Sequence, residues 1–300
     1  MRKPLACVAI LVWCAACLLA QSPPAPRDVV AVTMRNVIYH FTPRIAVHIF
    51  ALTGSLTPTD HYPLPIFDDD RSFILHIDAA TMSITTQVMS SILNQDVFAA
   101  SDAPLKDISV STQGQTLKIT GKLHSHGDIP FEEDGVLSLS SQGEIRIHSE
   151  HVKAAHLPVK GLMDLLGVHI SALINTHRLR GIRAENDDLL LNPEQILPLP
   201  RIAGRLTAIT LQQDSILEHF GGRLPAFRPG NYMTYRGGRL RFGKLTMDNA
   251  DMQLLDLDPQ DPFDFYLAHY QQQLVSGYTK ITPSFGLRVF MPDYNKLKKK

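Results

Sequence analysis

Hydrophobic and polar residues alternate along the first part of the chain. Over residues 30–34, and again over 45–51, every second side chain is apolar and its neighbours are mostly small or polar. Successive side chains of a strand point to opposite faces, so this period of two predicts half-buried strands. Residues 73–77 predict a third, shorter strand. The chain therefore begins as sheet.

Three later segments predict helices. Asp78 is a candidate N-cap for a helix over 79–95, whose apolar stripe consists of Met82, Ile84, Val88, Met89, Ile92 and Leu93. A second helix is predicted over 159–175, with Leu162, Leu165 and Leu166 on its apolar face. A third is predicted over 263–274. The helices should pack their apolar faces on the sheet.

Short strands separated by turn signals fill the region between the first two helices. They are predicted at 108–111, 117–123, 136–140 and 144–152, with glycine turns between them, a spacing typical of an antiparallel meander. Further strands are predicted at 181–184, 188–191, 205–211, 232–235, 239–245 and 252–257. The pattern predicts an α+β fold with a curved, mainly antiparallel sheet and two or three amphipathic helices. We expect one domain over 29–220, with 221–300 as an extension of it or as a separate subdomain.

The first 20 residues predict export. Arg2 and Lys3 precede an apolar run over 5–19 and the small residue Ala20, which is the pattern of a cleaved secretory signal peptide. Residues 21–28 form a Pro-rich leader. An uncleaved anchor is one alternative, and lipidation at Cys17 is another. The expected location is the periplasm or the cell envelope.

Export changes which chemistry the protein can use. All three cysteines lie before Ala20, so a mature chain excludes cysteine catalysis and cysteine-ligated metal. Removing Arg2 and Lys3 leaves 27 basic and 29 acidic residues, a formal charge of −2 that favours no nucleic acid. Residues 238–244 have the glycine and lysine spacing of a P-loop, but Leu245 replaces the hydroxyl residue. We expect a glycine turn there, with no nucleotide and no cofactor.

Two clusters could hold a metal ion. His124, His126 and Asp128 have the spacing of ligands in hydrolases of the metallo-β-lactamase type, but Ile129 stands where that family has a further histidine. The other interpretation is a strand end before a turn. Asp256, Asp258, Asp261 and Asp264 could suggest calcium, although prolines interrupt the loop and a solvated turn is favoured.

Other features suit lipid. Met82 and Met89 have flexible side chains that can line an adaptable apolar groove. The predicted groove lining is Met82, Ile84, Val88, Met89, Leu93, Leu162, Leu165 and Leu166. A cationic set could bind phosphate headgroups or an anionic membrane surface, and it consists of Arg223, Arg228, Arg236, Arg239 and Arg241.

Over residues 79–211 the order of elements resembles the LmeA-like family of bacterial envelope phospholipid-binding proteins, which are TULIP-like. The resemblance rests on the helix ending near Leu93, the strand pair around 117–121 and 136–139, the strand over 143–147, and Leu157-Pro158 before the second helix. It implies a curved sheet wrapped on a helix, a groove for the acyl chains of a phospholipid or other amphipathic lipid, and no catalysis. The alternatives are a metal-dependent hydrolase using His124, His126 and Asp128, and a structural or interaction module of the envelope.

Overall fold

A computed structural model describes residues 29–124, 128–155, 157–158, 169, 171 and 179–297. The predicted signal peptide and the leader lie outside these residues, as does most of the helix predicted over 159–175. Within the described chain, no helix combines the length and the apolarity needed to cross a membrane.

Twenty strands make up most of the described structure. In the first half of the chain they are β1 Val30–His40, β2 Ala46–Pro58, β3 Phe73–Thr85, β4 Leu105–Gln113, β5 Thr116–His124, β6 Asp128–Leu139, β7 Ile145–Ala154 and β8 Leu157–Pro158. In the second half they are β9 Ile182–Glu185, β10 Asp188–Leu191, β11 Arg201–Ala203, β12 Leu206–Gln212, β13 Ser215–Gly221, β14 Tyr232–Arg236, β15 Leu240–Phe242, β16 Leu245–Met247, β17 Asp251–Asp256, β18 Phe263–Tyr266, β19 Tyr278–Ile281 and β20 Leu287–Met291.

The described helices are few and short. They are α1 Thr86–Ile92, which continues as a π-helical turn over Leu93–Val97, α2 Pro193–Ile196 and α3 Tyr270–Val275. Two 3₁₀ turns cover Leu267–His269 and Tyr294–Lys296. The mainly antiparallel sheet with a few helices agrees with the predicted α+β class.

The first sheet has eleven strands and runs through both halves of the chain. Its order is β12-β13-β3-β2-β1-β14-β17-β20-β19, and β11 and β18 pair in parallel with β3 and β1. Because β14 pairs with β1, the strands after Gly221 extend the sheet that the first strands begin. In β1 the buried positions include Val30, Val32 and Met34, as the period of two predicts.

The second sheet contains the predicted meander. Its order is β4-β5-β6-β7-β10-β9, with β8 paired to β7. α1 connects the two sheets, because it follows β3 directly and its Ser90 Oγ accepts a hydrogen bond of 2.8 Å from the backbone N–H of Val110 in β4. A separate hairpin pairs β15 with β16.

The predicted helix over 79–95 is wrong in its first half. Residues up to Thr85 belong to β3, where Asp78 is exposed and caps nothing. Instead, the Thr85 hydroxyl accepts a hydrogen bond from the Val88 N–H and caps α1. Met82 and Ile84 are two positions apart, which is a strand period, and β2 and β13 pair with β3 on both sides. Tertiary pairing therefore overrides the helical pattern.

The predicted helix over 263–274 is also partly wrong. Its first four residues are β18, and a 3₁₀ turn separates them from α3. Phe263, Asp264 and Phe265 are consecutive and all buried, which suits a strand covered on both faces and not one stripe of a helix.

Candidate ligand-binding site

An apolar cavity lies against one face of the first sheet. Five adjacent strands, β13, β3, β2, β1 and β14, contribute to its walls, together with Ile202 of β11 and residues of the connecting segments. Because paired strands lie about 4.8 Å apart, the lining extends roughly 19 Å across the sheet. The lining includes Met34, Tyr39, Val47, Ile49, Met82 and Ile84. The site thus spans several strands and is mostly apolar.

The free volume inside this cavity is small. It amounts to about 40 Å³, which is enough for roughly three water molecules. Met34 and Met82 lie in the wall, and methionine side chains change shape easily. A bulkier ligand therefore needs these walls to move.

A polar vestibule adjoins the cavity. The two spaces share Tyr39, Phe41, Pro200 and Leu267 as lining residues. The vestibule has a volume of about 300 Å³, and its polar lining consists of His40, Tyr62, Asp68, Asp69, Asp70 and Arg71. Burial, followed by the neighbouring Asp69, raises the pKa of Asp70. Three carboxylates and one guanidinium make this vestibule acidic.

Glu218 is the one acidic side chain in the cavity wall. It is 2% exposed and lies on the buried face of β13, between Ile216 and Phe220. Met82 of β3 lies directly opposite it. Within the described chain its carboxyl group has no hydrogen-bond or ion-pair partner. Burial alone raises its pKa to about 8, so the carboxyl group is neutral at pH 7.

Two buried tyrosines also contact the cavity. Tyr39 is 6% exposed, and its hydroxyl makes no hydrogen bond to any described residue. Burial, then the neighbouring Tyr235 and Asp70, raises the pKa of Tyr39. Tyr235 donates only a weak bond, of 3.7 Å, to the sulfur of Met233. Among the described residues, Glu218 and the Tyr39 hydroxyl thus have no hydrogen-bond partner, and Tyr235 has only a weak one.

The structure separates the predicted groove residues into two sets. Met82 and Ile84 line the cavity, but they do so from a strand. Met89 and Leu93 are buried in the core around α1, and Val88 packs partly against it. These three are not part of the cavity lining. Leu162, Leu165 and Leu166 lie outside the described residues.

The five arginines proposed to bind headgroups are exposed and line neither the cavity nor the vestibule. Arg228 donates to Gln253 Oε1 at 3.1 Å and lies over the Tyr232 ring. Arg236 is 3.6 Å from Asp251. Arg223 is the third of the five. Arg239 donates a hydrogen bond to the Pro63 carbonyl. The backbone of Arg241 pairs with the chain around Ile66.

The predicted histidine cluster lies on a hairpin. β5 ends at His124 and β6 begins at Asp128, and these two side chains form an exposed pair with 2.7 Å between Nδ1 and Oδ1. The hydrogen bond from His124 is the main cause of the lowered pKa of Asp128. His126 lies outside the described residues. Among those described, neither His124 nor Asp128 belongs to a group of three potential metal ligands.

A lysine occupies the centre of the aspartate cluster. Asp258, Asp261 and Asp293 could face a cation together. Lys296 Nζ lies 2.7, 2.9 and 3.0 Å from their carboxylates, and these bonds raise the pKa of Lys296. Asp256 and Asp264 face other partners, Asn231 and His40. The cluster is therefore satisfied by an ammonium group of the same chain.

The P-loop-like segment is the predicted glycine turn. Gly243 joins β15 to β16 with a φ of +57°, a backbone conformation that favours glycine. No helix follows β16 directly, because the chain continues into β17.

Searches against family models, curated proteins and solved structures returned no match to this chain.

Sequence reasoning missed Glu218 and Tyr39. A signal for Glu218 was present, because Ile216 and Phe220 stand two positions before and after it, and a strand places all three side chains on one face. The acidic run Asp68–Asp70 gives no local signal of a site, and only the fold brings it beside Tyr39.

Proposed function

We propose that this protein is a noncatalytic lipid-binding or lipid-carrier protein, exported to the bacterial cell envelope. The observation that carries the proposal is the apolar cavity on the first sheet, with a polar vestibule beside it. This arrangement suits a phospholipid or another amphipathic lipid, whose chain needs an apolar wall and whose polar end needs water or polar groups. The signal-peptide pattern supports the location.

In this proposal the acyl chain enters the cavity and the polar end stays in the vestibule. The cavity widens on binding, through movement of Met34 and Met82. The acidic vestibule favours a headgroup that carries a positive charge, such as the ammonium group of a zwitterionic lipid. The TULIP-like relationship to the LmeA-like family is part of the same proposal.

The alternative of a metal-dependent hydrolase has less support. His124 and Asp128 are paired with each other at the surface, and neither lines the cavity or the vestibule. The proposal therefore assigns no reaction to the protein.

Bound lipid is the direct test. Native mass spectrometry of protein purified from its own cells should detect co-purified lipid, and the protein should transfer labelled phospholipid between vesicles. A ligand-free spectrum together with no transfer would reject the proposal.

Two methionines provide a matched pair of variants. Met82 and Met89 are buried to a similar degree, 5% and 3% exposed, but only Met82 lines the cavity. Met82→Phe should reduce bound lipid several-fold because the larger ring fills the narrow space. Met89→Phe should leave lipid binding unchanged, and both variants should lose about 1–3 kcal/mol of stability through overpacking. Equal lipid binding by the two variants would place the ligand elsewhere.

A further inference from the structure

Glu218 has no structural role that its contacts explain. Its carboxyl group is buried in a mostly apolar wall and has no partner in the described chain. A buried polar group without a hydrogen bond costs free energy of folding, roughly 1–3 kcal/mol. An apolar side chain at this position would avoid that cost. Such a group in a cavity wall points to a partner from outside the described chain, and a ligand in the cavity can supply it.

The chemistry of the carboxyl group restricts that partner. A protonated carboxyl has one hydrogen-bond donor and further acceptor capacity, so a group that both accepts and donates satisfies it best. An ammonium ion or an ionised acid would have to leave water and enter the apolar cavity, which is costly. An uncharged hydroxyl group meets both requirements.

We infer that Glu218 hydrogen-bonds a hydroxyl group on the apolar part of the ligand, so that the cavity selects hydroxylated apolar molecules over plain hydrocarbon chains. This inference rests on the proposed function, since it concerns the same cavity. Glu218 lies on β13, three strands from β1, where Tyr39 adjoins the vestibule. The spacing between strands places these two backbones roughly 14 Å apart. The hydroxyl group is therefore distinct from the polar end in the vestibule.

The test compares two ligands and four proteins. Decanol and decanethiol have the same chain, but a thiol is only a weak donor and acceptor. Calorimetric titration gives the ratio of their dissociation constants for the wild type, Glu218→Met, Glu218→Gln and the control Glu133→Gln. Glu133 is a buried glutamate of the second sheet and lines no part of the cavity.

The inference predicts a specific pattern. Glu218→Met should lower the preference for decanol roughly five- to tenfold relative to the wild type, the equivalent of one net hydrogen bond. Glu218→Gln keeps a donor and an acceptor and should retain most of the preference. Glu133→Gln should not change it. An unchanged ratio in Glu218→Met would overturn the inference, whereas binding of neither ligand by any of the four proteins would overturn the proposed function as well.

A second measurement does not depend on the folding of Glu218→Met. The carboxyl carbon resonance of Glu218 can be assigned by its loss in Glu218→Gln. It should move when decanol is added to the wild type and move less with decanethiol. A resonance that does not move at saturating decanol would also overturn the inference.

Discussion

Each of the two large sheets buries a glutamate, and the two sheets treat it differently. In the second sheet, Glu133 of β6 accepts a hydrogen bond from the Ser149 hydroxyl of β7 and is influenced by the nearby His148. In the first sheet, Glu218 has no such partner and faces the cavity. Burial raises the pKa of both groups, but the hydrogen bond from Ser149 opposes the rise for Glu133. The comparison separates a buried carboxyl group that has a hydrogen-bond partner in the described chain from one that has none.

The largest expected effect is the dependence of stability on pH caused by Glu218. Its pKa is about 8 in the folded protein and close to the ordinary 4.5 in the unfolded chain. Between these values the folded protein keeps a proton that the unfolded chain has released, so stability falls as the pH rises from about 4.5 to 8. The contribution is on the order of 4 kcal/mol by pH 8.

Glu218→Gln removes this ionisation. Urea unfolding at pH 5 and pH 8 should therefore show a much smaller loss of stability between the two pH values for the variant than for the wild type. Equal losses would mean that the pKa of Glu218 is not raised in the folded protein, and would contradict the contrast with Glu133.

A middle-sized effect is expected from Ser149→Ala. This change leaves the Glu133 carboxyl buried without its hydroxyl partner, and so makes it resemble Glu218. We expect a loss of about 1–3 kcal/mol and a further rise in the pKa of Glu133, because the bond from Ser149 lowers it. Urea unfolding measures the first and NMR titration of the carboxyl carbon measures the second. No change in either would show that the bond contributes little.

The smallest effect is expected from Tyr39→Phe. The Tyr39 hydroxyl has no hydrogen-bond partner in the described chain, so its removal breaks no bond. The ring packs as before, against Phe41 and Phe265. Stability should stay within about 0.5 kcal/mol of the wild type, or rise slightly. Thermal unfolding of Tyr39→Phe and Ser149→Ala under the same conditions compares the two losses of stability. A loss for Tyr39→Phe as large as that for Ser149→Ala would show that the Tyr39 hydroxyl has a partner.

Much of the sheet could be predicted, because strands follow a local period of two. The strands at 108–111, 117–123 and 144–152 correspond to β4, β5 and β7 within a few residues. The helix over 79–95 failed because its apolar residues fit both periods over a short window. β3 is a strand because β2 and β13 pair with it, and β13 comes from far along the chain: Thr81 and His219 contact each other across 138 positions. No local pattern contains that information.

The site was harder to predict than the fold. Met82 and Ile84 line the cavity, but they do so from β3 and not from the predicted helix. The position of Glu218 beside an unfilled space depends on which strands surround β13. The role of Lys296 was also hidden, because its attraction to Asp258 and Asp261 acts between segments 38 and 35 positions apart.

The sequence by itself determined the alternating strands, the glycine turn at Gly243 and the lack of cysteine after Ala20. These properties depend on composition or on neighbouring residues, which is why one chain is enough to recognise them. Only the tertiary structure decided that Met82 lines the cavity and Met89 does not. It also decided that the acidic loop at Asp68–Asp70 lies beside the cavity, and that Glu133 has a hydrogen-bond partner in the described chain while Glu218 has none. Hydrogen bonds and burial depend on contacts between residues that are far apart in the sequence, and local sequence patterns do not show which distant residues come into contact.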